Sequence, residues 1–200
     1  MISFDPKTHI YRNTETGLVI PNVTSILKKA GLVDFSMVDK DELKRAQDFG
    51  KAVHSATHLY DTNNLDMGSL SLALEPYLED WIKWKRDSGF VIQSSEQIVY
   101  SKKWNYAGTY DRVGLLDGVR TLIDIKTGTT LPKTIALQIA AYMGAYNEST
   151  NYPKIKRRLS IWLRGDGQAR PTEYKERTDF RVFTSCLNVV NWRKLNQKEN

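Results

Sequence analysis

The chain has 200 residues, 40% of them hydrophobic and 26% charged, which is ordinary for a globular protein with a buried core. No apolar run approaches the ~20 residues that a membrane helix needs, and a single cysteine, Cys186, excludes an internal disulfide framework and any four-cysteine zinc or iron–sulfur site. A net charge of +6 favours a polyanionic partner without establishing one.

The opening Met-Ile-Ser-Phe-Asp-Pro has neither the basic nor the apolar region of a secretory signal, so a cytoplasmic location is expected. Residues 1–20 read as a short hairpin around Phe4, Ile10, Tyr11 and Leu18 to Ile20, turning between Asn13 and Gly17. Asn22 is a natural N-cap for a helix from Val23 to Ala30, and Gly31 a natural stop. Asp39 caps a longer helix, Lys40 to about Tyr60, whose apolar positions Leu43, Ala46, Phe49, Val53, Ala56 and Tyr60 follow helical spacing. His54 lies beside that stripe. Leu70 to Arg86 reads as a third helix, with Pro76 predicting a kink or break, and Gly89 ends it.

Phe90 to Ser101 has β character and carries Glu96. Two apolar strands follow, joined at Asp117-Gly118, a strong signal for a two-residue hairpin turn. With those two residues as the turn, Asp111 falls directly opposite Asp124, and strand alternation brings Lys126 to the same face. Facing residues have Cβ atoms ~4.5–5.5 Å apart, so the two carboxylates repel. A divalent cation would convert that repulsion into a binding site. Pro132 opens a helix to about Asn147, in which Gln138 and Tyr142 share a face among small residues, before a polar Asn-Glu-Ser-Thr-Asn segment. A strand over Lys156–Leu163, a shorter one near Thr172–Lys175 and a helix from Thr178 or Asp179 to about Leu195 complete a mixed α/β chain.

Taken together, Gly-x-Tyr-Asp111, Asp124-Ile-Lys126-Thr-Gly, Gln138-x-x-x-Tyr142 and the upstream Gly50-x-x-Val-His54 resemble the RecB-like branch of the PD-(D/E)XK nuclease superfamily. Ile20-Pro-Asn-Val-Thr-Ser-Ile-Leu27 is similar to the opening of phage-type exonucleases and of the mitochondrial genome maintenance exonuclease in that branch. The likeness covers roughly residues 20–146; the branch also includes CRISPR-associated nucleases with a four-cysteine iron–sulfur cluster, which this chain lacks the cysteines to build. The proline of the family motif is replaced by Tyr110.

The resemblance implies a restriction-endonuclease-like α/β core, a mixed central sheet flanked by helices, with a helical N-terminal cap: a single domain over 1–200, cap 1–88 and catalytic core 89–200. It implies that His54, Asp111, Asp124 and the Ile125 backbone carbonyl hold Mg²⁺ or Mn²⁺, with Lys126 catalytic beside Asp111 and Asp124. Gln138 and Tyr142 would position DNA or the lysine. Glu96 either contacts the metal or its water, or is an exposed strand carboxylate. Trp104 and Tyr106 are candidates for base stacking at the mouth of the site. His58, one turn after His54, lacks the third ligand that a zinc site would need. The expected activity is exonucleolytic cleavage of single-stranded DNA or DNA ends, in recombination, repair or replication. An endonuclease of the same fold, or a binding module without cleavage, is the alternative.

Overall fold

Local signals set most element ends in the computed structural model, which describes residues 1–6, 8–148 and 152–196. Ser149, Thr150 and Asn151 of the polar segment lie outside the described residues. Three short antiparallel strands open the chain: β1 (Ile2–Asp5), β2 (Ile10–Asn13) and β3 (Val19–Ile20). The hairpin expected at Asn13–Gly17 joins β2 to β3, and β1 adds a third strand. Helix α1 (Val23–Lys29) starts where the Asn22 side chain accepts the Ser25 N–H at 2.7 Å. Helix α2 (Lys40–Asp61) starts where Asp39 accepts the Asp41 and Glu42 N–H groups.

Helix α3 (Glu75–Ser88) departs from the expected span of 70–86. Pro76 sits in its first turn, where a missing N–H breaks no intrahelical bond, so the proline begins the helix rather than kinking it. The residues before it form a 3₁₀ turn (Met67–Ser69) and an irregular approach.

The central sheet has five strands in sequence order: β4 (Val91–Ser101), β5 (Tyr106–Leu116), β6 (Val119–Lys126), β7 (Arg157–Trp162) and β8 (Arg170–Glu173). Among the described strands of this sheet only β6 and β7 pair in parallel, and helix α4 (Ile135–Glu148) lies in the connection between them. Helix α5 (Asp179–Asn196) ends the described chain. On one side of the sheet, α1, α4 and α5 bury Ile26, Ile139, Phe183 and Leu187 against Tyr110, Val113 and Leu122. On the other, α2 and α3 bury Val53, Leu78 and Trp81 against Ile123, Ile125, Leu159 and Ile161. The result is a mixed sheet between two helical layers, and the helices of residues 1–88 contribute to both. No helix among the described residues is long and apolar enough to cross a membrane.

The β5–β6 hairpin has the predicted two-residue turn. Asp117 and Gly118 have φ values of 52° and 73°, the double left-handed conformation of a type I′ turn, and Leu116 faces Val119. The pairing then runs in register to Arg112 opposite Ile123. The N-terminal sheet is tied to the far end of β5, where Ala107 N–H donates to the Pro21 carbonyl at 3.0 Å and the Tyr11 and Thr109 hydroxyls lie 2.8 Å apart.

Candidate active site

The regular ladder stops one residue short of Asp111 and Asp124. Instead of main-chain pairing, Asp111 Oδ2 accepts the Ile125 N–H at 2.5 Å, so a carboxylate takes the place of a strand carbonyl. The opposite edge of β5 is interrupted at the same level. Ser95 and Gln97 pair with Arg112 and Tyr110, while Glu96 between them has φ 52°, an uncommon conformation for a residue with a side chain. Tyr110 and Val113 both face the α4 layer, although strict alternation would separate residues three apart. Strand β5 is therefore irregular around Asp111, which departs from ideal pleated geometry.

This irregularity brings three potential ligands together. His54 Nδ1 lies 3.4 Å from Asp111 Oδ1 and 3.9 Å from Glu96 Oε1. One donor atom each from His54, Glu96 and Asp111 falls within 4.8 Å of the others. Asp124 stands beside this group on β6, with Lys126 Nζ 2.6 Å from its Oδ2. Glu96 reaches this cluster while keeping about 30% of its side chain exposed.

The electrostatics divide the two aspartates. Burial works against ionisation of Asp111, but His54, Lys126 and the Ile125 N–H hold its carboxyl below the usual range. Burial raises Asp124, and the neighbouring Asp111 charge adds to that effect against the pull of Lys126. Burial disfavours a charged His54, yet Asp111 and Glu96 win and push the imidazole up to about 10. Lys126 is raised because Asp124 and Asp111 outweigh its burial. Three carboxylates gathered this closely in a largely buried site favour a cation among them.

The residues fit a hard divalent ion. Asp124 Oδ2 is buried and, although it touches Lys126 Nζ, accepts no well-aligned hydrogen bond. Carboxylate oxygens with one imidazole suit Mg²⁺ or Mn²⁺. Ile125 is fully buried in the same stretch of β6.

Helix α4 closes the site from the other layer. Gln138 Nε2 donates to the Tyr142 hydroxyl at 2.9 Å, leaving that hydroxyl's own proton free to donate. Burial, with Asp124 and Asp111 nearby, keeps Tyr142 protonated well beyond its ordinary range. Its ring packs against Gly108, where a Cβ would lie 2.4 Å from Tyr142 Cε1, so no larger residue fits without displacing the ring.

One expectation meets a different outcome. Tyr106 has no exposed surface, and its hydroxyl donates to the Ala141 carbonyl at 2.8 Å. It is a core residue with no free face for a base, which corrects the stacking role expected of it. Trp104 is half-buried, edge-on to Phe180 with ring centroids 6.4 Å apart. His58 lies away from the ligand cluster, with Nδ1 2.6 Å from Ser95 Oγ.

A buried ionic group behind the ligands escaped the sequence reading. Arg112, fully buried, donates to Asp61, Glu96, Thr57 and the Asp111 carbonyl. Asp61 also accepts from Trp81 Nε1 at 3.1 Å and from Lys85 Nζ at 2.6 Å. One signal was available: Asp61 is the last residue of a helix, where the macrodipole disfavours an acid unless cations meet it.

No family model matches the sequence, and no curated protein sequence matches it. Solved structures match the fold. A candidate exonuclease from Eubacterium rectale aligns with TM-score 0.51 and 12% identity, over 74% of this chain and 65% of that one. The shared property is the fold. This chain thus spans just under two thirds of that protein's length. An alkaline exonuclease, LHK-Exo from Laribacter hongkongensis, aligns with TM-score 0.39 and 13% identity, over 87% of this chain and 92% of that one.

Proposed function

We propose that the chain is a Mg²⁺- or Mn²⁺-dependent deoxyribonuclease, an exonuclease acting on single-stranded DNA or DNA ends. One observation carries this reading: donor atoms of His54, Glu96 and Asp111 lie within 4.8 Å of one another, beside an Asp124–Lys126 ion pair, on a sheet of this architecture. The fold shared with a candidate exonuclease and the net charge of +6 are consistent with a DNA substrate. The process served would be recombination, repair or replication of bacterial or phage DNA in the cytoplasm, carried out by one nuclease domain spanning residues 1–200.

In this reading His54, Asp111, Asp124 and the Ile125 carbonyl hold the metal, and Glu96 binds it or its water. When bound, the ion supplies Lewis acidity toward the scissile phosphate and makes a coordinated water a better nucleophile. Lys126, its pKa raised by the two aspartates, remains an ammonium at neutral pH. It orients the attacking water and stabilises the charge that develops on the phosphate. Asp124 holds the Lys126 head in place. Gln138 orients the Tyr142 hydroxyl, which keeps a proton to donate to the phosphate or a bound water.

Linear and closed-circular DNA, single- and double-stranded, incubated with Mg²⁺, Mn²⁺ or EDTA test this. Loss of linear DNA only, abolished by EDTA, is expected. Cleavage of closed circles would make the enzyme an endonuclease. Binding without cleavage under every condition would overturn the proposal in favour of a binding module.

A further inference from the structure

Arg112 lies directly behind the candidate ligands, and nothing in the reaction calls on it. Its Nη1 donates to Glu96 Oε1 at 3.1 Å and to the Asp111 carbonyl at 2.8 Å. Its Nη2 donates to Thr57 Oγ1 at 3.1 Å, and Nε to Asp61 Oδ2 at 2.7 Å. Thr57 and Asp61 follow His54 at spacings that share one face of α2, and the Thr57 hydroxyl donates to the His54 carbonyl at 3.0 Å. One guanidinium therefore touches three of the four elements that would deliver a ligand: α2 with His54, β4 with Glu96 and β5 with Asp111, β6 being the fourth.

The charges make the same point. A fully buried arginine is rare and demands counter-ions. Asp61 provides one but shares it with Lys85 2.6 Å away, so two cations lean on a single carboxylate. Glu96 supplies the other negative charge in contact with Arg112. That contact also helps to hold Glu96 in its left-handed backbone conformation, which would otherwise be disfavoured. A lysine could supply the charge but not the planar fork that reaches several acceptors at once.

Resting on the metal-centre reading, we propose that Arg112 is the positioning residue of that centre. It fixes the Glu96 carboxylate as a ligand and sets α2 at the register that delivers His54, with Asp61 as its buried counter-ion. A guanidinium that merely satisfied the core would stabilise the fold and leave metal affinity untouched.

Mn²⁺ binding to metal-free protein, measured by electron paramagnetic resonance and normalised to the folded fraction, separates these roles. Arg112→Lys and Glu96→Gln should each weaken Mn²⁺ affinity about tenfold or more, as loss of outer-shell support does elsewhere. The double variant should bind no more weakly than Arg112→Lys alone, because losing the Arg112 fork already removes what Glu96 contributes as a ligand. Arg112→Lys binding as tightly as wild type, or losses that multiply in the double variant, would overturn the proposal. If Arg112→Lys does not fold, Thr57→Val decides: a several-fold loss supports the role and unchanged affinity refutes it. Wild-type protein that binds no Mn²⁺ would instead sink the metal centre itself.

Discussion

The β5–β6 hairpin has two ends built on opposite principles. Toward the turn, from Arg112/Ile123 to Leu116/Val119, every backbone position is paired and most side chains are apolar. At the open end the ladder gives way, Asp111 takes the Ile125 N–H with its side chain, and two carboxylates with opposite pKa shifts stand close together. The regular end fixes register, and the irregular end uses that register to aim chemistry. Regular pairing satisfies its own backbone groups, whereas the open end depends on groups from α2, β4 and α4.

The largest effects should come from the open end. Lys126→Ala and Asp124→Asn should each lower kcat by about 10²–10⁴-fold, the range for loss of a positioned proton-transfer or electrostatic group. Asp124→Asn should not unfold the protein, since it removes a buried charge that repels Asp111. Turnover on end-labelled DNA alongside thermal melting reads both; full activity in either variant would break the contrast between the two ends.

Substitutions of two glycines sharpen it further. A Cβ at Gly108 meets the Tyr142 ring, so Gly108→Ala should cost about 1–3 kcal/mol of stability and also reduce turnover. Gly118→Val at the turn meets open space but strains a residue at φ 73°, costing about 1–2 kcal/mol. Its turnover per folded molecule should be unchanged. Denaturant titration with kinetics on the folded fraction distinguishes a site effect from a turn effect.

A pH dependence probes the open end through stability alone. His54 titrates at about 10 in the folded protein, against 6.5 as its ordinary value. Folding therefore favours the protonated form, and this stabilisation is complete below about pH 6.5 and lost as pH rises through 10. In EDTA the melting temperature should fall across that window, and His54→Gln should flatten the slope. Equal slopes in the two proteins would show that the site's charges do not act on its own stability.

How much of this was legible in the sequence follows from how local each feature is. The Asp117-Gly118 turn and the Asn22 and Asp39 caps are decided within a few residues, and the chain states them directly. Pro76 was misjudged because the same residue breaks a helix interior and starts a helix, and only the packing around α3 says which applies. Tyr106 looked available for stacking because an aromatic at a strand's start is compatible with either face; its burial depends on α4 and α5. Arg112 and Asp61 are 51 positions apart, and no local pattern announces that they meet. Glu96 needed both Arg112 and His54 in place before its side chain had an address.

Those separations also imply an order of events during folding. β5 and β6 meet across a two-residue turn, so the entropy of closing their loop is small and their contacts can form early. His54 and Asp61 arrive only when α2 docks across some fifty residues of intervening chain. The nascent hairpin must therefore bring Asp111 toward Asp124 with Lys126 and Arg112, both on its own strands, as the nearby cations. The repulsion belongs to the early stages and its relief to the late ones, so docking of α2 both finishes the core and neutralises the site.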